Sequence, residues 1–579
     1  MLRTTLTISA IALLSACTEQ PTNAPETEAQ PADAGLLMPL PSGTVAEITA
    51  DDLGQRIAAL ADDAFEGRGP ASENGEQAAD WIAAEMARIG LEPAGENGTW
   101  FQSVGMIEQT LDEAASFLSI SDASTDTEIA LPLKEKAVIW SKQQTVSELE
   151  FDASDLVFVG YGVVAPEYGW DDYAGLDVAG KTVVMLVNDP GYAREDELFN
   201  GKSMTYYGRW TYKFEEAARQ GATGAIIVHE TEPASYGWDV VSNSWSGAQA
   251  DLVRSDGGVS RTQYEAWITE DAARSLFTTA GLDFDEQKLA AQEEGFSAVD
   301  MAELSASGKI VQSVTTTESR NVIGALPGTV TPDEHMLFVA HWDHLGKKPE
   351  EKSGEPNQDF YRDEIFNGAV DNATGSAALL EIAEAMAATE HDRTSLFVAV
   401  TLEESGLLGS AYYAEHPTVP LNSIVAGLNM DGMLPVGETN DMIVIGYGAS
   451  ELEDRLTAYL ETQDRIVVPD QNPQAGYFYR SDHASFAKKG VPMLYADGGL
   501  DKVDGGLAAG RAIAETYTAQ RYHKPMDEYS SDWDLSGMVQ DITALYTVGR
   551  DIADSSDWPT WYAGNEFEAI RAASLAEED

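Results

Sequence analysis

Residues 336–344 have the sequence MLFVAHWDH, in which five apolar residues run directly into a histidine-rich turn. The pattern returns in residues 396–405, LFVAVTLEES, and in residues 424–432, IVAGLNMDG. A short apolar run that ends at a polar turn is typical of a buried strand. These three runs place metal-type ligands directly after a predicted strand, and the side chains concerned are His341, Asp343, Glu403, Glu404 and Asp431.

Helical segments alternate with these strands. In residues 376–386, the apolar residues Leu379, Ile382, Ala383 and Met386 have the spacing of one helix face. Alternating strands and helices predict an α/β fold with a mixed, largely parallel sheet flanked by helices. Because ligands bind at the carboxyl ends of the strands in such sheets, the polar strand ends are expected to converge.

Two further segments carry possible ligands. Residues 367–375, NGAVDNATG, place Asp371 between glycines and before a helix, and His523 lies in the loop RYHKP. Two histidines and three carboxylates suit a pair of divalent metals, with one carboxylate bridging the ions. The adjacent glutamates at 403 and 404 can supply one ligand and one general base, because neighbours at a strand end point in different directions.

Each of these features alone has an ordinary structural explanation. A pair of glutamates is usually a solvated face, an Asp-Asn turn before a helix is often a cap, and a lone histidine says little. Their joint occurrence at successive strand ends favours a catalytic metal site.

The motifs FVAHWDHLG, FNGAVDNATGSAALLEIA, TLEESGLLGSAYYAEH, GLNMDGM, YFYRSDHASFAKKGVP and RYHKPMDEYSSD resemble those of the two-zinc aminopeptidase family. That family shares its fold, the zinc-exopeptidase fold, with bacterial leucyl aminopeptidases and glutamate carboxypeptidase. The resemblance extends to residues 62–95 and covers nearly all of the predicted mature chain. Residues 151–300 resemble a protease-associated domain inserted between the two parts of the peptidase domain.

The resemblance implies a role for each matching residue. His341 and Asp431 would hold one zinc, Glu404 and His523 the other, and Asp371 would bridge them. The Asp343 carboxylate would orient the imidazole of His341, and Glu403 would be the general base. The motif YFYRSDH adds possible substrate contacts at Tyr477, Tyr479 and Arg480 and supporting roles for Asp482 and His483, while His344 is expected to have a structural or orienting role.

The expected activity is that of an aminopeptidase that acts on peptides. A carboxypeptidase or dipeptidase on the same scaffold is the alternative, and it would need a basic group such as Arg480 or Lys524 for the substrate carboxylate. A one-zinc cyclase and a non-catalytic binding module fit less well, because all five ligands and the base are present. The partners of the inserted domain are not indicated.

The expected domain organisation follows from these patterns. Residues 1–16 are predicted to be a lipoprotein signal peptide and residues 17–44 a flexible tether. The peptidase domain is predicted to comprise residues 45–150 and 301–575, interrupted by the inserted domain at 151–300.

The first residues, MLRTTLTISAIALLSAC, combine a positive start, a short apolar stretch and small residues before Cys17. They resemble a bacterial lipoprotein signal, which would be too short to span a bilayer as a mature helix. Cys17 is the single cysteine of the chain, so no intramolecular disulfide can form. The expectation is an exported lipoprotein on the periplasmic side, anchored in the outer membrane by its lipid alone.

The chain is strongly acidic, with 97 Asp and Glu against 35 Lys and Arg and a formal net charge of -62. Nucleic acid is excluded as an expected partner, because a phosphate-binding surface needs clustered positive charge. Acidity of this kind indicates a well-solvated surface.

Overall fold

The computed structural model describes residues 35–194, 196, 198–348 and 364–576. The predicted signal peptide, Cys17 and the first part of the predicted tether lie outside the described residues. Within the described part of the chain, no helix is both long and apolar enough to cross a membrane.

The larger sheet contains the three strands predicted to carry the site, and the α/β class is confirmed. Its central strands Arg393–Val400, Thr331–His341, Ile424–Asn429 and Met493–Gly498 are neighbours in that order and run parallel. Its other strands are Glu92–Pro93, Phe101–Leu111, Gln249–Leu252, the second half of Val299–Leu326, Asp441–Ile445 and Ile466–Pro469.

Helices pack against this sheet through their apolar residues. The helix Gly375–Ala387 is buried along nearly its whole length and packs against the sheet beside Ser536–Ala553. Thr49 caps the first helix by accepting a hydrogen bond from the N–H of Asp52. The remaining helices of this unit are Ala50–Leu60, Glu76–Ile89, Leu408–Glu415, Leu452–Glu461, His483–Ala487, Gly506–Gln520 and Glu568–Ala576.

A second sheet has its own apolar core. Its strands are Phe117–Asp122, Thr127–Ala130, Ala137–Trp140, Glu148–Phe158, Thr182–Leu186, Gly224–His229, Tyr264–Thr269 and the first half of Val299–Leu326. Its helices are Trp210–Arg219, Thr231–Ala234, Trp238–Ser244, Glu270–Thr279 and Phe284–Ala290. The 28-residue strand Val299–Leu326 belongs to both sheets and joins the two units.

Two predicted boundaries differ from the structure. The second sheet begins at Phe117, before the predicted boundary at 151, because the hairpins at its start pair with the long shared strand rather than with the peptidase sheet. The predicted tether is also too long, since Leu36, Met38 and Leu40 pack against the larger core. Alternating apolar residues in this segment bury on the core, and the indole of Trp81 donates to the carbonyl of Pro39.

Candidate metal centre

Parallel pairing brings the predicted strand ends to one edge of the sheet. In the register of the sheet, His341 lies opposite Val400 on the neighbouring strand. Glu403 follows that neighbour, and Asp431 follows the strand on the other side of His341. His341 and Asp431, which are 90 residues apart in the sequence, therefore lie at the same edge of the sheet.

The first group of possible ligands contains His341, Glu403 and Asp431, whose donor atoms lie within 4.8 Å of one another. Nε2 of His341 is 3.2 Å from Oδ1 of Asp431. The hydroxyl of Ser481 donates to the other oxygen, Oδ2, at 2.6 Å. Asp431 is thus held with one oxygen directed at the histidine.

The second group contains His344, Asp371 and Glu404, again within 4.8 Å of one another. Nε2 of His523 lies 3.2 Å from Oδ2 of Asp371 and 3.2 Å from Oε2 of Glu404. His344 hydrogen-bonds Glu404 through Nδ1. His523 therefore lies beside two carboxylates of this group, and His344, for which we expected only a structural or orienting role, is a further possible donor.

Asp371 lies between the two groups. Its Oδ1 is 3.5 Å from Nε2 of His341, and its Oδ2 is the oxygen that faces His523. The backbone N–H groups of Val370 and Asp371 donate to the carboxylate of Asp527, which fixes the turn. At the start of this turn Gly368 has a φ of 53°, and a Cβ there would lie 2.0 Å from the carbonyl oxygen of Asp371.

Asn372 connects the loops that carry the ligands. Its amide nitrogen donates to the carbonyls of His341 and Met430, and its amide oxygen accepts from the N–H groups of Gly375 and Gly432. A single buried amide thus ties two strand ends to the turn of Asp371. Sequence analysis missed this role, although Asn372 follows the predicted bridging residue directly.

Arg68 is a second organising residue that sequence analysis missed. Its buried guanidinium donates to the carbonyls of Leu60, Trp342, Asn367 and Gly368. These carbonyls belong to segments on both sides of the site, so one side chain holds them together. The one indication in the sequence is that Arg68 lies between two glycines in the stretch EGRG.

The role of Asp343 differs from the one we expected. The backbone carbonyl of Asp343, rather than its carboxylate, is the nearer partner of Nδ1 of His341, at 3.1 Å against 3.8 Å. The carboxylate instead accepts the N–H of Glu403 at 3.3 Å. Burial raises the pKa of Asp343 to about 8. The tight turn after the strand brings the carbonyl back to the ring, so the main chain orients His341.

The charges of the site explain the pKa values of its histidines. Burial by itself lowers the pKa of His341, but Asp431 and Glu403 outweigh it and raise the pKa well above its usual range. Burial also acts to lower the pKa of His523, yet hydrogen bonds to two carboxylates raise it to about 10. The buried carboxylates thus draw positive charge onto the imidazoles.

A divalent cation fits this donor set. Metal binding requires deprotonated ligands and releases protons, so a cation can supply the positive charge that these carboxylates favour on the histidines. Nε2 of His344 and Oδ2 of Asp343 are buried without hydrogen-bond partners. Imidazole and carboxylate groups are the ligands that zinc accepts in catalytic sites.

The predicted substrate contacts have different environments. Tyr477 is exposed, whereas the hydroxyl of Tyr479 is engaged by Glu566. The guanidinium of Arg480 lies 5.4 Å from the ring centre of Tyr477. Asp482 and His483 are fully buried behind the site, which is consistent with supporting positions.

Residues 321–547 match the sequence profile of peptidase family M28. This segment belongs to peptidase family M28. The match contains all five predicted ligands, so the family resemblance drawn from the motifs is confirmed. The identification of the inserted unit as a protease-associated domain stays a prediction.

Similar proteins include several peptidases related to the M28 segment. A probable zinc metalloprotease of Pyrenophora tritici-repentis (strain Pt-1C-BFP) is 27% identical over 246 residues, which cover 41% of this chain and 51% of that protein. Aminopeptidase YwaD of Bacillus subtilis (strain 168) is 28% identical over 107 residues, covering 18% of this chain and 20% of YwaD. The chain therefore spans about half or less of the length of these relatives.

Among solved structures, the aminopeptidase from Aneurinibacillus sp. strain AM-1 is similar with a TM-score of 0.46 and 18% identity, covering 88% of this chain and 96% of that one. A zinc aminopeptidase from Bacillus subtilis gives a TM-score of 0.40 and 15% identity, covering 91% of this chain and 100% of that one.

Proposed function

We propose that this chain is a zinc-dependent aminopeptidase that holds two zinc ions and releases N-terminal residues from peptides. The observation that carries the proposal is the position of Asp371, whose two oxygens face His341 and His523 on opposite sides. A carboxylate directed at two donor groups is suited to bridging a pair of ions. The relatives named as a zinc metalloprotease and an aminopeptidase support the metal and the activity.

Each ion would have its own histidine. His341 and Asp431 would hold one, and Glu404 and His523 the other, with Asp371 shared between them. His344 is a further donor available to the second ion, since its Nδ1 already contacts Glu404.

The chemistry follows from the residues around the ligands. Bound zinc supplies the Lewis acidity that polarises a scissile carbonyl and acidifies water. Glu403 accepts the proton of the attacking water and passes it to the leaving amine, the role of a general base that becomes a general acid. The carbonyl of Asp343 accepts the Nδ1–H of His341, which leaves Nε2 of the ring directed toward the ligand groups.

The proposal predicts the end from which a peptide is trimmed. A free amine carries a positive charge that the carboxylate-rich wall attracts, and acetylation removes that charge. Peptides offered in free, N-acetylated and C-amidated forms should therefore lose their first residue unless they are acetylated, and a chelator should stop cleavage. Mass spectrometry of the products, with and without added zinc, measures this directly.

Other outcomes would change the assignment. Trimming that is blocked by amidation rather than acetylation would establish the carboxypeptidase or dipeptidase alternative. Absence of any cleavage in zinc-supplemented buffer would contradict a peptidase and would favour the cyclase or the binding module.

We also propose that the chain is exported and lipidated at Cys17, which would anchor it on the periplasmic side of the outer membrane. The support is the sequence around the cysteine, with small residues directly before it. Cys17→Ser should move the protein from the membrane fraction to the soluble fraction and abolish labelling by a fatty-acid analogue. The matched control Ser15→Thr should leave both unchanged, and a Cys17→Ser variant that still takes up the label would exclude lipidation at this residue.

A further inference from the structure

A large cavity lies beside the candidate metal centre. It has a volume of about 1410 Å³ and is bordered by both sheet-bearing units. Glu403, Glu404 and His523 line it from the peptidase unit, and Arg209 and Tyr236 line it from the inserted unit. A peptide that extends from the metal centre through this cavity would therefore contact the inserted unit.

Two arginines on the walls of this cavity have no carboxylate partner. Arg209 comes from the inserted unit and Arg480 from the peptidase unit. Within the described residues, neither forms an ion pair at 4.0 Å or less, and Nε of each is buried without a hydrogen-bond partner. The guanidinium of Arg480 lies between aromatic rings, 5.4 Å from the ring centre of Tyr477 and 6.0 Å from that of Tyr236.

The other arginines that line this cavity, Arg219, Arg254 and Arg261, are each paired with a carboxylate. Arg219 contacts Glu216 at 2.8 Å, and Arg261 contacts Glu265 at 3.0 Å. In a chain with 97 acidic and 35 basic residues, carboxylates are plentiful, so two unpaired arginines at one place need an explanation. Burying a charge without a partner is unfavourable. Burial, followed by the neighbouring Arg480, lowers the pKa of Arg209 to about 10.

We infer that Arg209 and Arg480 together bind a carboxylate of the substrate, either the C-terminal carboxylate of a short peptide or an acidic side chain near the scissile bond. The inference rests on the proposed peptidase function and narrows its substrate class. Guanidinium groups match a carboxylate in shape and charge, and an anion between two cations relieves their repulsion. The cavity thus has acidic groups for a peptide amine and basic groups for a carboxylate.

Four dipeptides test this inference with the full chain: Ala-Glu, Ala-Gln and the C-amidated form of each. KM is measured with zinc, and calorimetric Kd is measured with a chelator present, so that binding is observed without turnover. Peptides that carry the recognised carboxylate should bind roughly 10- to 100-fold more tightly than their amide counterparts. This is the size of effect expected when hydrogen bonds to a charged group are lost. Arg480→Gln and Arg209→Gln should each remove that difference while the binding of the uncharged counterparts is unchanged.

The comparison between peptides identifies the source of the carboxylate. A difference between free and amidated forms indicates the C-terminus, and a difference between Glu and Gln indicates the side chain. Arg219→Gln, which removes a paired arginine of the same cavity, is the matched control and should keep the difference. Arg480→Lys, which retains the charge, should restore part of it if the glutamine variants fold poorly.

Two results would overturn the inference: equal binding of all four peptides by the unmodified protein, or an equal loss for all four in Arg480→Gln. A protein that cleaves none of the peptides yet binds the carboxylate forms more tightly would contradict the proposed peptidase function and leave the arginine site standing.

Discussion

Glu403→Gln should lower kcat by roughly 10²–10⁴-fold, the usual contribution of a general base, while the zinc content of the protein stays the same. The amide has the shape of the carboxylate and keeps its place beside Asp343, whose carboxylate accepts the N–H of residue 403. It cannot accept the proton of the attacking water. Steady-state kinetics together with elemental analysis of the purified protein measure both effects.

The neighbouring glutamate is the matched control for this experiment. Glu404→Gln makes the same chemical change one residue away, but Glu404 contacts His344 and His523 and is a proposed ligand. We expect this variant to lose zinc as well as activity. A Glu403→Gln variant with full activity, or one that loses metal as Glu404→Gln does, would show that residue 403 is not the base.

Asp371→Ala should lose zinc and activity together, with activity falling by more than roughly 100-fold, because even indirect ligand contacts contribute up to that much. Among the described residues, the substitution removes the one carboxylate whose oxygens face both His341 and His523. Both zinc ions would lose a ligand at once, so we do not expect one of the two zinc sites to remain filled. Elemental analysis and the peptide assay, performed on the same preparation, measure the two quantities.

Folding must be separated from metal loss in this variant. Asp532→Ala removes an exposed aspartate and should change neither zinc content nor activity. Circular dichroism with a chelator present should show the same secondary structure for the unmodified protein and for Asp371→Ala. An Asp371→Ala variant that keeps full zinc content and turnover would exclude the bridging role.

Much of the fold was predictable from local patterns. The apolar run at 336–340 predicted the inner part of the strand Thr331–His341, and the helical spacing within 376–386 predicted the helix Gly375–Ala387. The predicted domain boundary at residue 151 lies inside the second sheet, which begins at Phe117. The long strand Val299–Leu326 is shared by both sheets, and periodicity does not reveal which partners a strand will have.

The sequence by itself determined the class of fold and the set of groups at the site, because parallel strands end at one edge and each of three strands ends in a ligand-type residue. Only the tertiary structure decided that His344 joins the second group, that a carbonyl orients His341, and that Arg68 ties the site together from 274 residues away. It also decided that Arg209 and Arg480 share one cavity. The physical reason is that these contacts join loops and units distant in the chain, whereas sequence periodicity reports only which face of a local element is buried.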